Sequence, residues 1–160
     1  MPLYHFTMMR LAPGSIIEPG NWGRLLRRYE NAPGSNGQQF GKVWVLTREL
    51  VFELTRIKLP KANSVPSRFE STFSFKDEAH AHVYREANDP HFVQVLHEVE
   101  LVDPNAPQHE GAVSKSNWPA GGRPFLGDMT QAAQEYWRGE GDGPRELLSA
   151  SGLRIIRAVD

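Results

Sequence analysis

The sequence predicts an α+β fold built on a mixed or antiparallel sheet. Three observations predict it. Segments of period two and of period 3.6 run strand, helix, strand, helix, strand, loop, helix, strand, strand, the last two strand-like segments come in succession as a hairpin, and Gly and Pro cluster between the elements. The 160 residues suit one domain, 1–160, large enough to bury a core without covalent staples.

Residues 3–7 (Leu3, Tyr4, His5, Phe6, Thr7) are aromatic and β-forming and read as a first strand. Pro13-Gly14 marks a turn, Ile16-Ile17 is a brief apolar stretch, and 31–41 reads as a loop. Over 43–58, Leu46, Leu50, Leu54 and Ile57 recur at helical spacing, so that stripe is expected to face the core, and Pro60 stops the helix. Residues 68–75 alternate, with Phe69, Ser71, Phe73 and Phe75 on one face, which is a strand. Ser74 to Asp77 matches a capping box and predicts a helix over 76–87. The alternating run 92–102 is expected to be the central strand. The Gly- and Pro-rich stretch 103–127 reads as a long excursion with no core of its own. Asp128 as N-cap, answered by Gln131, opens a helix with the stripe Met129, Ala132, Ala133, Tyr136 and Trp137, and Gly139 is its expected C-cap. Two strands, 146–149 and 153–159, are expected to close the chain as a hairpin.

Composition excludes several classes. With no Cys there is no disulfide framework, thiolate zinc site or cysteine nucleophile. Eighteen basic against 19 acidic residues give a net charge of −1, and no global attraction to nucleic acid or anionic membrane. No apolar run approaches the ~20 residues of a membrane span, and Met1 to His5 has neither the basic nor the apolar region of a signal peptide. A soluble, cytoplasmic protein without a membrane partner is the expectation.

The six histidines do not form a metal motif. His80 and His82 lie two apart on a predicted helix and point apart, and His97 reads as a satisfied core residue. No P-loop, GxGxxG or GxSxG elbow is present. Arg24, Arg27 and Arg28, beside Trp22 and Tyr29, read as a solvated basic face.

One ordered constellation stands out: His5 on the first strand, then Pro13-Gly14, then Pro66-Ser67-Arg68-Phe69 running on through Ser71, Thr72 and Phe73. Gly127-Asp128-Met129, Tyr136-Trp137 and Glu146-Leu147-Leu148 complete it. In order and spacing this resembles the ADP-ribosyltransferase superfamily, and within it a bacterial family long labelled a domain of unknown function. The resemblance covers nearly the whole chain. It implies two small, perpendicular, mixed or antiparallel sheets around a cleft for NAD. It also implies that His5 holds the nicotinamide-side ribose, that Phe6 and Thr7 neighbour the carboxamide, that Ser71, Thr72 and Phe73 line the nicotinamide pocket, and that Glu146 is the catalytic carboxylate. Arg68 or Arg10 is the candidate cation for the diphosphate, and Asp128 is structural. The implied activity is NAD-dependent ADP-ribosyl transfer to a protein, nucleic acid or small molecule, or NAD glycohydrolysis. Two features depart from the superfamily pattern: no Tyr stands in the second motif, and Pro144 stands where the arginine-specific toxins carry a second acid.

The chemistry suits these residue types. Breaking the nicotinamide glycosidic bond develops an oxocarbenium-like ribose, which a neighbouring carboxylate stabilises. Two competing readings predict different behaviour. A catalytically inactive protein-binding module of the same fold would use Trp118 and the Arg24–Arg28 cluster and would not turn over NAD. A hydrolase with an unrecognised triad would cleave esters or amides without NAD.

Overall fold

A computed structural model describes residues 1–31, 36–89, 91, 93–116 and 125–159. Among these residues seven strands and five α-helices form an α+β structure on one open antiparallel sheet. The strands are β1 (Leu3–Thr7), β2 (Ile16–Ile17), β3 (Thr72–Phe75), β4 (Val95–Leu101), β5 (Gln108–Ala112), β6 (Arg145–Ser149) and β7 (Leu153–Ala158). The helices are α1 (Asn21–Asn31), α2 (Asn36–Arg56), α3 (Glu78–Asn88), α4 (Val113–Ser116) and α5 (Phe125–Trp137). The strand order is β2-β7-β4-β1-β3-β6-β5, so β1, not β4, is the middle strand.

The two separate sheets implied by the resemblance are therefore a single sheet. It has a seam, however: β1 meets β3 through one residue pair, Tyr4 with Phe75. On one side β1, β4, β7 and β2 form a continuous ladder, with five pairs between β1 and β4. On the other side β3, β6 and β5 form a second. The expected terminal hairpin does not form. β6 pairs with β3 and β5, whereas β7 pairs with β4 and β2, and residues 150–152 carry the chain from one half to the other. Leu153 and Ile155 bury with Leu3, Ile17 and Val99, and Leu147 of β6 joins them, while Leu148 buries with Phe52, Tyr136 and Trp137 under α2 and α5. The crossing is held by Thr72 Oγ1, which donates to the carbonyls of Ser149 and Ser151.

The helix α1 was not anticipated. Its Arg-rich sequence hides one buried apolar anchor, Leu26, and Gly23 lets it approach the chain at Phe69, whose carbonyl lies 2.3 Å from where a Cβ would stand. The helix α2 begins at Asn36, inside the segment read as a loop, and residues 32–35 of that segment lie outside the described residues. The expected core stripe of α2 is largely turned outward: Leu50, Leu54 and Ile57 are each more than half exposed. The inward face carries Phe52 and Glu49, both 1% exposed. Hydropathy alone misses this face because its charge is neutralised by ion pairing.

Two expected caps also move. Asp77, not Ser74, caps α3, accepting from the backbone of Ala79 and His80, so the preceding residues stay in β3. Asp128 falls inside the first turn of α5 instead of capping it. The stripe of α5 is buried as expected, and Gly139 ends the helix region at φ +71°. Residues 103–127 contain β5 and α4, with 117–124 (and so Trp118) outside the described residues. The segment 68–75 is a 3-10 turn, Arg68–Glu70, followed by β3 rather than one long strand. That turn aims Arg68 inward. Among the described residues no helix is long and apolar enough to cross a membrane.

Candidate functional site

The seam between the two half-sheets opens onto a cavity of about 330 Å³, within the size range of small-ligand pockets. Its apolar walls include Phe6, Phe73, Phe75 and Tyr84. Its polar lining includes His5, Arg68, Ser116 and Glu146, together with Arg48 and Gln94. A larger depression of about 490 Å³ lies between α1, α2 and the turn at Arg68–Glu70, and none of the predicted site residues lines it.

His5 reaches the seam because β1 is the middle strand. Its Nδ1 lies 2.5 Å from the carbonyl of Phe73 on β3, so a side chain bridges the halves where the backbone ladder has ended. A carbonyl only accepts, so Nδ1 carries the proton and Nε2 is left with a lone pair. Burial lowers the His5 pKa, the Phe73 carbonyl opposes this in part, and His97 adds to the lowering. At neutral pH His5 is an uncharged acceptor at Nε2.

Glu146 opens onto the same cavity from β6, where it pairs with Phe75. Three donors converge on its Oε1: Arg68 Nη1 at 2.6 Å, Ser116 Oγ at 2.9 Å and Tyr136 Oη at 2.9 Å. Among the described residues Oε2 receives no hydrogen bond. One oxygen is thus clamped, and the other is held by none of the three donors. Charge-assisted donors of this kind fix a carboxylate strongly.

Arg68 is 6% exposed and joins Glu146 to Glu49, donating from Nε to Glu49 Oε2 at 2.8 Å. Its Nη1 also donates to Tyr136 Oη at 2.7 Å. Burial works against the Arg68 charge, and Glu49, Tyr136 and Glu146 outweigh it, raising its pKa well above the usual value. Burial pushes the Glu49 carboxyl up, but Arg68 and Arg48 together pull it below its usual range. Burial raises the Tyr136 pKa strongly, Arg68 opposes it and Glu146 adds to it, so its hydroxyl keeps its proton and donates. Buried charges persist only when paired in this way.

Of the residues expected from sequence, His5, Phe6, Arg68, Phe73 and Glu146 line the cavity together. Thr7, Ser71 and Thr72 do not. Thr7 Oγ1 donates to the carbonyl of Met9, Ser71 Oγ to that of Ser67 at 2.6 Å, and Thr72 Oγ1 holds the crossing after β6. These hydroxyls are spent on the backbone. The Arg68 guanidinium is committed to protein carboxylates, which leaves it poorly placed as a diphosphate cation. His97 is fully buried, and its Nε2 accepts from the backbone N–H of Leu11 at 3.1 Å.

Sequence reading placed none of Arg48, Trp22, Tyr84 and Ser116 at the site; it named Glu49, beside Glu70, as an ion-pair partner for Arg68, and Glu49 is that partner. Glu49 carried a legible signal, a carboxylate between two Leu positions on a helix also bearing Phe52. The others depend on which helix faces the seam. Among the described residues no group of three or more His, Asp or Glu is placed to hold a metal. No family model matches the chain, and no curated protein was found to be similar to it.

Proposed function

We propose that the chain cleaves the nicotinamide–ribose bond of NAD and passes ADP-ribose to an acceptor, with water as the default acceptor. One observation carries the reading. An acid from β6 and an imidazole from β1 share one aromatic-walled cavity, the acid with one oxygen clamped and the other unpartnered. Glu146 Oε2 accepts from a ribose hydroxyl and faces the positive charge that develops as the bond breaks. The nicotinamide leaves with the bonding electron pair and becomes neutral. The acceptor adds to the ribosyl carbon and gives up its proton to the carboxylate, which returns it to water. His5 Nε2, an acceptor, takes a second sugar hydroxyl. Phe6, which stacks on Tyr84 at 6.3 Å between centroids, and Phe73 give flat surfaces for the nicotinamide ring.

The test is nicotinamide release from NAD, with tryptophan fluorescence reporting binding. The wild type is expected to bind and turn over, and Glu146→Gln to lose a factor of about 10²–10³ in rate while still binding. Gln keeps the size and an oxygen for the three donors. No fluorescence change and no nicotinamide at millimolar NAD overturns the reading, as does equal turnover in Glu146→Gln. Tight capture of a protein partner without NAD turnover favours the binding module instead.

A further inference from the structure

Two donors on the cavity have no acceptor. Trp22, in the first turn of α1, and Arg48, on α2, both line it. Trp22 Nε1 and Arg48 Nε are shielded from bulk water and meet no hydrogen-bond partner among the described residues. An indole N–H and a guanidinium N–H can only donate, and buried donors in native proteins are nearly always satisfied. Two orphans on one cavity therefore ask for an acceptor that the described residues do not supply. Beside a guanidinium, that acceptor is an anionic oxygen.

The neighbouring charges agree. Arg68 is taken up by Glu49 and Glu146, so it is not the free cation of the site. Arg48 gives only its Nη2 to Glu49, at 3.1 Å, and keeps the Nε edge. The pairs run Arg48–Glu49–Arg68–Glu146, which sets the anion-seeking group at one end of a relay and the clamped acid at the other. We propose that Trp22 and Arg48 form an oxyanion subsite that takes a phosphate group of the ligand. It rests on the NAD reading for the identity of that phosphate, the diphosphate of the dinucleotide. The ligand reaches both N–H groups by small turns of the two side chains, because neither is open to bulk water as it stands.

Affinities measured by calorimetry for ADP-ribose, nicotinamide riboside and inorganic pyrophosphate test this. Trp22→Phe keeps an aromatic ring and removes the N–H. Arg48→Lys keeps the charge that faces Glu49 and removes the guanidinium edge, and it serves alone if circular dichroism shows Trp22→Phe unfolded. Each is expected to weaken ADP-ribose and pyrophosphate about tenfold, the effect of one charge-assisted bond, and to leave nicotinamide riboside within about twofold. Equal losses for the riboside and ADP-ribose overturn the subsite, as does no loss for either. Wild-type binding of pyrophosphate that the variants lose, with no binding of NAD or the riboside, keeps the subsite and overturns the NAD reading. Wild-type binding of the riboside without pyrophosphate does the reverse. Binding of none of the probes overturns both.

Discussion

Tyr136→Phe isolates the clamp on Glu146. The hydroxyl donates to Glu146 Oε1 at 2.9 Å and accepts from Arg68 Nη1 at 2.7 Å. The ring packs edge-on against Phe52 and Trp137, at 5.2 and 5.0 Å between centroids, and Phe keeps those contacts. Only the polar bridge is removed. Arg68 and Ser116 still reach Oε1, so neither charge is left alone. The loss is then that of hydrogen bonds to charged groups, about 1.5–3 kcal/mol. For a chain of this length each kcal/mol shifts Tm by roughly 2–4 °C, so a fall of roughly 3–12 °C is expected. Thermal melting by calorimetry at neutral pH, compared with the wild type, reads it. Ser116→Ala made alone and together with Tyr136→Phe should be non-additive, because both donors share one acceptor. A Tyr136→Phe melt within about a degree of wild type, with strictly additive double-variant behaviour, would refute the clamp.

Gly111→Ala strikes the same ring from behind. A Cβ at Gly111 would stand 2.2 Å from Tyr136 Cε2, so overpacking of about 1–3 kcal/mol and displacement of the hydroxyl from Glu146 are expected, read by melting and by slower nicotinamide release. A second prediction concerns acid. Burial is the first cause lowering the pKa of both His5 and His109, so the unfolded chain takes up protons before the folded one does. The stability these neutral rings support is present above the ordinary value of 6.5 and is lost as pH falls below it. The slope is at most about 1.4 kcal/mol per pH unit for each ring. Denaturant melts across this range should show it, and His5→Gln should show a shallower fall; identical slopes would sink the assignment. Glu49, whose carboxyl is held below its usual range, adds its own loss only at lower pH.

How much of this was legible in the sequence follows from what each residue depends on. β1, the stripe of α5 and the turn at Gly139 rest on local pattern, and local pattern placed them. The outward turn of Leu50, Leu54 and Ile57 could not be read that way. It depends on Arg68 arriving from the 3-10 turn to neutralise Glu49, a long-range event that makes a polar face buriable. Adjacent strands late in the chain suggested a hairpin, yet β6 pairs with β3 and β5 and β7 with β4 and β2; Leu147 of β6 shares a core with Leu153 and Ile155 of β7, whereas Leu148 packs with Phe52, Tyr136 and Trp137, and that long-range packing has no local signal. The nearness of His5 and Glu146 to one cavity was expected from the order of motifs. The freedom of Oε2 was not, because it follows from Tyr136 and Ser116 both donating to Oε1, and the helical pattern that buries the Tyr136 ring does not tell which acceptor its hydroxyl meets.

The strand order also bears on how the chain is made. Among the described residues β5 pairs only with β6, and β2 only with β7. Both partners lie within residues 145–158. While the ribosome still holds that stretch, two strands emerge with nothing to lie beside, and the pocket lacks its acid. Assembly of both flanks therefore waits for the same segment, which follows β2 and β5 in the chain, and pairings between residues far apart in sequence form more slowly than local ones.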